Sequence, residues 1–382
     1  MNRVTIKPEL LRWACERCGQ NPKDILDRFP KFEHWIRGEA SPTLKQMELF
    51  AKTTYTPIGF LFLPEPPLER IPIPDFRTVG SSGHVGRPSP DLLDTVYICQ
   101  QRQEWFREFA RTTGEKPLTF VGSVSMSKEI EKTAANIRHV LGFDIEKRRQ
   151  MPTWTVALRR FIEEADALGI LVMVSGIVGS NTRRKLDPQE FRGFALSDDL
   201  APIVFINGSD TKAAQMFTLA HELVHLWLGQ SAVSDAQAAQ IPEHQVERWC
   251  NLVAAELLVP ITVLREEYQK DNPLTDEINR LARHFKVSTL VILRRIYDTG
   301  ALTKEQFRNA YHEELERLSL IPSGKGGDFY LSLPVRVSKC FAKALIISTL
   351  EGQTLHRDAL HLLGFSKLET FKNLGRSLGV VK

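Results

Sequence analysis

The chain has 382 residues, 42% of them hydrophobic and 25% charged, a composition that excludes a disordered or low-complexity protein. A net charge of +4 permits contact with nucleic acid without arguing for it, and five cysteines, an odd number, do not make a disulfide framework. No apolar run approaches the ~18 residues that span a bilayer, and the start MNRVTIKPELLRW lacks a signal-peptide core, so a soluble cytoplasmic protein is expected.

Residues 5–63 read as a string of short helices. Asn21-Pro22 and Ser41-Pro42 each place a capping residue before a proline at the first helical position, and Gly38 is a helix stop. Prolines 64, 66, 67, 72 and 74, then GSSGHVGRPSP at 80–90, end this part. The expected division is a first domain at 1–78, a linker at 79–90, a second domain at 91–260, a helical pair at 261–320 and a small helical region at 321–382.

The second domain opens with helical patterns over Leu92–Arg111, Ser127–Leu141 and Trp154–Leu168. The period then changes. Ile170–Ser175 is β-rich, and Phe191–Leu196 and Ala201–Asn207 read as two strands joined by a tight polar turn. Asp210 is placed to cap a helix reaching Gln230. The strand at Pro202–Asn207 either takes up a substrate peptide as a further strand or is simply covered. Beyond Pro260, Asp276–Ile296 reads as helix, turn and capped helix, the outline of a helix-turn-helix or of a plain helical hairpin. Ile321–Gly327 is a further loop.

The chemistry concentrates in His221-Glu222-Leu223-Val224-His225. Residues four apart share a helix face, so the two imidazoles can hold one ion, with Glu222 directed at its water as a general base. A catalytic zinc takes three protein ligands and keeps a position open, and His2Glu is a recurring set. Glu247 supplies the third ligand from a second helix, on which Val246, Cys250, Val253, Ala254 and Leu257 recur at helical spacing. Asn251, four residues on, is expected to support a ligand histidine by a hydrogen bond. The set points to metal-assisted hydrolysis with Glu222 moving the proton. His244, Arg248 and the tyrosines are the candidates for stabilising an oxyanion. Cys15-Glu-Arg-Cys18 lacks a second pair to complete a zinc site, and Arg183-Arg184-Lys185 reads as a solvated loop.

FTLAHELVHLWLGQ at 217–230 and ERWCNLVAAELLVP at 247–260 resemble the two signature helices of the ImmA/IrrE metallopeptidases, over about Ile170–Thr299. The resemblance implies an α+β, mainly helical chain with a gluzincin-like core and a small antiparallel sheet. It implies zinc on His221, His225 and Glu247 with Glu222 catalytic. It also implies a protein substrate, a helix-turn-helix repressor or antitoxin whose cleavage controls stress, mobile-element or defence genes. Cys250 stands where other members have alanine and reads as a buried structural thiol. Trp35-Ile-Arg-Gly38-Glu-Ala-Ser-Pro42-Thr-Leu resembles the end of the recognition helix in Xre-type helix-turn-helix domains, with Lys31, His34 and Arg37 as candidate DNA contacts. Pro30 shortens that helix, and residues 1–80 carry 12 Lys+Arg against 10 Asp+Glu, so DNA reading and protein docking both stay open. The competing function is a DNA-binding regulator or toxin–antitoxin component with a structural or sensory zinc site, and a homodimer fits either.

Overall fold

The computed structural model describes residues 3–19, 22–76, 87–234, 244–320 and 334–381. The chain forms two compact units. The first holds residues up to Pro72 together with residues up to Val96, and the second holds the segment from Ile73 and everything from Tyr97 onward. The linker expected at 79–90 falls mostly on 77–86, and the loop at 321–327 entirely, outside the described residues.

The first unit contains α1 (Pro8–Cys18), α2 (Pro22–Arg28), α3 (Phe32–Ile36), α4 (Leu44–Thr53) and a 3-10 turn at Ile58–Phe62. Its core is aromatic: Phe32 stacks on Phe50 at 5.5 Å, and Phe29 meets Phe50 edge-on at 5.6 Å. Arg17 closes the unit with two bonds to Glu69 and one to the Tyr55 carbonyl. Gly38, at φ 73°, does stop the chain after α3. The start of α4 differs from expectation. Thr43 and Gln46 form a reciprocal capping box there, so the cap lies two residues past Ser41.

α5 (Pro90–Thr113) crosses from the first unit into the second, followed by α6 (Ile130–Leu141), α7 (Ile145–Arg149) and α8 (Trp154–Ala167). Then come β1 (Leu171–Ser175), β2 (Gly193–Leu196), β3 (Ile203–Asn207), α9 (Lys212–Leu228), β4 (Ala232–Ser234) and α10 (Gln245–Leu258). The remaining helices are α11 (Ile261–Glu267), α12 (Leu274–Phe285), α13 (Thr289–Asp298), α14 (Lys304–Ser319), α15 (Lys339–Leu350), α16 (His356–Leu363) and α17 (Leu368–Ser377).

The sheet order is β1-β3-β2-β4, and it is mixed, not antiparallel: β1 runs parallel to β3, while β2 is antiparallel to both β3 and β4. β2 and β3 pair as a hairpin, and β1 lies on the far side of β3. β1 is apolar on both faces, as a covered parallel strand must be. Alternation sorts the side chains. Val172, Ala195, Val204 and Ile206 join the core around α9, and Phe194 stacks on Phe205 at 4.9 Å on the other face. From α5, Gln103 bonds the carbonyls of Leu196 and Ala201.

The pair α12–α13 shares the core that holds α9 and α10, with Val291, Ile292, Leu293 and Ile296 of α13 buried. Three arginines from different helices cap the last turn of α10: Arg138 at the Glu256 carbonyl, Arg148 at Leu258 and Arg295 at Val259. Positive charge at this end opposes the helix dipole and fixes the helix axially.

Candidate metal centre

α9 is capped by Thr211, whose side chain accepts from Ala214 N–H, while Asp210 takes Arg192 instead. At its other end Gly229, at φ 70°, turns the chain, and the backbone N–H groups of Gly122 and Val124 bond the carbonyls of Leu226 and Trp227. Nearly every residue from Gln215 to Trp227 is buried, the mark of a helix enclosed on all sides. That enclosure fixes the rotamers of the two histidines it carries.

α10 crosses α9 and delivers Glu247 to them. Nε2 of His221 and Nε2 of His225 are 3.1 Å apart, and the Glu247 oxygens lie 3.0 Å from the first and 2.9 Å from the second. Three donors at ~2.0–2.1 Å from a tetrahedral zinc are ~3.3 Å from one another, so the cluster is near the size a single ion requires. Oε1 of Glu247 makes no hydrogen bond despite its closeness, and Nδ1 of His221 has none either. Both histidines are fully buried and Glu247 is 2% exposed. Buried ligand atoms that converge on one point at 2.9–3.1 Å are an arrangement that one shared ion explains. It is the single such cluster among the described residues. Burial works to raise the Glu247 pKa, but His221 and His225 overcome it and hold the carboxyl well below the usual carboxylate range.

Glu222 sits one residue from His221 and is also fully buried. Ser234 of β4 donates a short hydrogen bond to Oε1, while Oε2 has no partner. Burial, reinforced by Glu247, pushes its pKa up to about 8 against the lowering by His225 and Ser234. Gly193 faces the same carboxylate from β2. A Cβ there would stand 2.6 Å from Thr218 Cγ2, 2.9 Å from the Phe205 carbonyl and 3.1 Å from Glu222 Oε1. Because Gly193 pairs with Ser234 across the sheet, one register sets both the cradle and the hydrogen bond. Sequence reading found neither residue.

Asn251 is 8% exposed and its Oδ1 is unbonded, so the expected bond to a ligand histidine is not formed. Cys250 is nearer: its Sγ lies 3.9 Å from His225 Nδ1. Burial, with Glu247 and Glu222 beside it, raises the Cys250 pKa well above the usual thiol value. His244 is exposed at the start of α10, its ring 5.2 Å from that of Phe76. The strand considered for adding a substrate, β3, lies between β1 and β2 and has no free edge.

The three candidate DNA contacts lie together around α3, away from this centre in the sequence. Lys31 is exposed at its N-cap, His34 Nδ1 is 2.6 Å from Glu39 and Arg37 is 3.4 Å from Glu33.

Residues 165–297, which contain the sheet, α9 and α10, match the model of the IrrE N-terminal-like domain, peptidase M78. Residues 337–377 match a domain of unknown function, DUF8813, and hold α15 to α17. The radiation response metalloprotease IrrE of Deinococcus radiodurans is 33% identical over 91 residues, which make up 22% of this chain and 28% of the relative. The chain therefore spans under a third of that relative's length, and it is the segment carrying the metal cluster that is similar to an IrrE-type metallopeptidase domain.

Proposed function

We propose that this chain is a zinc-dependent endopeptidase that cuts a partner regulatory protein, a helix-turn-helix repressor or an antitoxin, at a specific site and so controls stress, mobile-element or defence genes. The observation that carries this reading is the convergence of His221, His225 and Glu247 beside a buried carboxylate, Glu222, with one oxygen held and the other unbonded. When bound, zinc supplies Lewis acidity, drawing the pKa of water towards ~7 and polarising a scissile carbonyl. Glu222 accepts the proton of the attacking water at Oε2 and hands it to the leaving amine. Ser234 holds Oε1 throughout, so the carboxylate does not rotate away from its task. Gly193 leaves the space in which that carboxylate sits.

Metal analysis of the purified chain comes first, with zinc near one per chain expected and its absence retiring the metal reading. Co-expression with the products of neighbouring genes then compares the native chain with Glu222→Gln. A neighbour cut by the first and intact with the second supports the proposal. Zinc retained with no Glu222-dependent cut favours instead a regulator with a structural or sensory zinc.

For the N-terminal unit we favour docking of the protein partner over DNA reading. The carboxylates of Glu33 and Glu39 lie against Arg37 and His34, cancelling charge that phosphates would need. The unit also exposes Leu44, Leu49, Ile58 and Phe62, which suit a protein surface. A gel shift at physiological salt on the chain's own upstream DNA decides between them; binding that disappears on deletion of residues 1–80 restores the DNA reading.

A further inference from the structure

We propose that Ile73–Phe76 is a built-in occupant of the peptide-docking edge, an autoinhibitory strap that closes the metal centre until it is displaced. The proposal rests on the peptidase reading for its purpose, but not for its geometry.

The inner edge of β4 is paired with β2, which leaves the outer edge as the place where an extended peptide can add beside Glu222. That edge is taken. Val233 N–H donates to the Pro74 carbonyl at 2.9 Å, and Phe76 N–H donates to the Val233 carbonyl at 3.0 Å, with Asp75 bridged in parallel to Val233. The next residue of β4 is Ser234, which holds Glu222. Phe76 lays its ring 6.4 Å from that of His225, inclined by only 20°, and 5.2 Å from that of His244. The strap thus covers a metal ligand with a side chain while its backbone fills the strand edge.

The sequence suits this role. Pro72 and Pro74 hold the residues before them extended and offer no N–H, so the strap completes the sheet without recruiting a further strand. Its backbone hydrogen bonds are to a single residue of the strand, Val233. His221, Glu222 and His225 have no exposure at all, so a peptide bond reaches Oε2 of Glu222 only after something moves. Ile73 follows directly on Pro72, the last residue of the N-terminal unit's first stretch, so the strap continues one of the chain's connections to that unit, α5 being another.

The test measures how fast excess dipicolinate strips zinc from the loaded full chain, a readout that needs no substrate. Phe76→Ala removes the ring and keeps the backbone; Phe76→Pro also removes the N–H that reaches Val233. Stripping is expected to accelerate by at least about tenfold in the first and more in the second, as local opening becomes easier. Leu68→Ala, exposed in the same proline-rich stretch, serves as the control and is expected to match the native rate. Native rates in both Phe76 variants, or equal acceleration in the control, overturn the strap. Glu222-dependent cleavage is followed in the same proteins. Faster stripping with no cleavage by any form retires the peptidase reading and keeps the strap. Cleavage that proceeds equally in all forms, with stripping unchanged, retires the strap alone.

Discussion

The N-terminal unit and the metal-bearing unit solve the same packing problem with opposite treatment of polar groups. In the first, the aromatic core of Phe29, Phe32, Trp35 and Phe50 excludes charge, and its buried Thr53, Thr54 and Thr56 each spend their hydroxyl on a backbone carbonyl. In the second, two histidines and two glutamates lie in the centre of the core with oxygen and nitrogen atoms left unbonded. A buried polar atom without a partner costs about 1–3 kcal/mol, so a fold that keeps several together has a use for them. Helices alone do not mark function here; what sets this centre apart is that its unbonded polar atoms lie together around one point.

The largest effect that tests this contrast is at Glu222. Glu222→Gln keeps the shape and the Ser234 contact but cannot take a proton, and should lower cleavage by ~10²–10⁴-fold with zinc content unchanged. His225→Ala should instead lose the zinc itself, read by metal analysis. Next is the ion pair that anchors α10. Arg295 and Glu256 are both buried, with Arg295 also bonding the Val259 carbonyl. Arg295→Ala strands a buried carboxylate and should cost about 3–5 kcal/mol in denaturant unfolding. A loss under 1 kcal/mol would mean that Arg138, Arg148 and the apolar face hold α10 without Arg295.

Gly193 comes third, and it shows where sequence reading stops. The HELVH pentad was legible because its three functional residues lie within one helical turn, and Glu247 because a second periodic helix followed. Ser234 and Gly193 enter the centre only through sheet register, and Phe76 only through a contact with a residue far away in the sequence, for which local pattern carries no signal. The parallel pairing of β1 with β3 was missed for the same reason, whereas the Thr43–Gln46 capping box was readable and lost to the adjacent Ser-Pro. Gly193→Ala forces a Cβ against Thr218, a backbone carbonyl and Glu222. It should lower stability by about 1–3 kcal/mol and cleavage by about 10²-fold. Adding Thr218→Ser relieves one clash and should recover stability more than cleavage, since Glu222 stays displaced.

Asp166 guards against reading every perturbed carboxylate as a site. Burial raises its pKa to about 7, even with hydrogen bonds from Val172 N–H and Ser338 Oγ that work the other way. Unfolded, its pKa is ~3.9. The folded state therefore binds the proton more tightly, and the stability this provides is complete below pH ~4 and is lost as pH rises towards 7. Asp166→Asn keeps an acceptor for both donors and cannot ionise. Its melting temperature relative to the native chain should be level near pH 4 and higher by pH 8; a difference that does not change with pH means that Asp166 is solvated.

The smallest expected effect lies on the surface of the N-terminal unit. The Arg37–Glu33 and His34–Glu39 pairs are more than half exposed at three of their four side chains, so breaking them should change stability by only ~0–1 kcal/mol. Their consequence is electrostatic. If the two carboxylates are what bars phosphate from this face, Glu33→Gln with Glu39→Gln should strengthen sequence-independent DNA binding relative to the native chain. Each phosphate newly neutralised steepens the dependence of log K on log salt by about 0.9, so a slope steeper by one to two is expected, depending on whether His34 is charged. An unchanged slope would show that the short α3 withholds this face from the duplex by shape, and that charge was never the barrier.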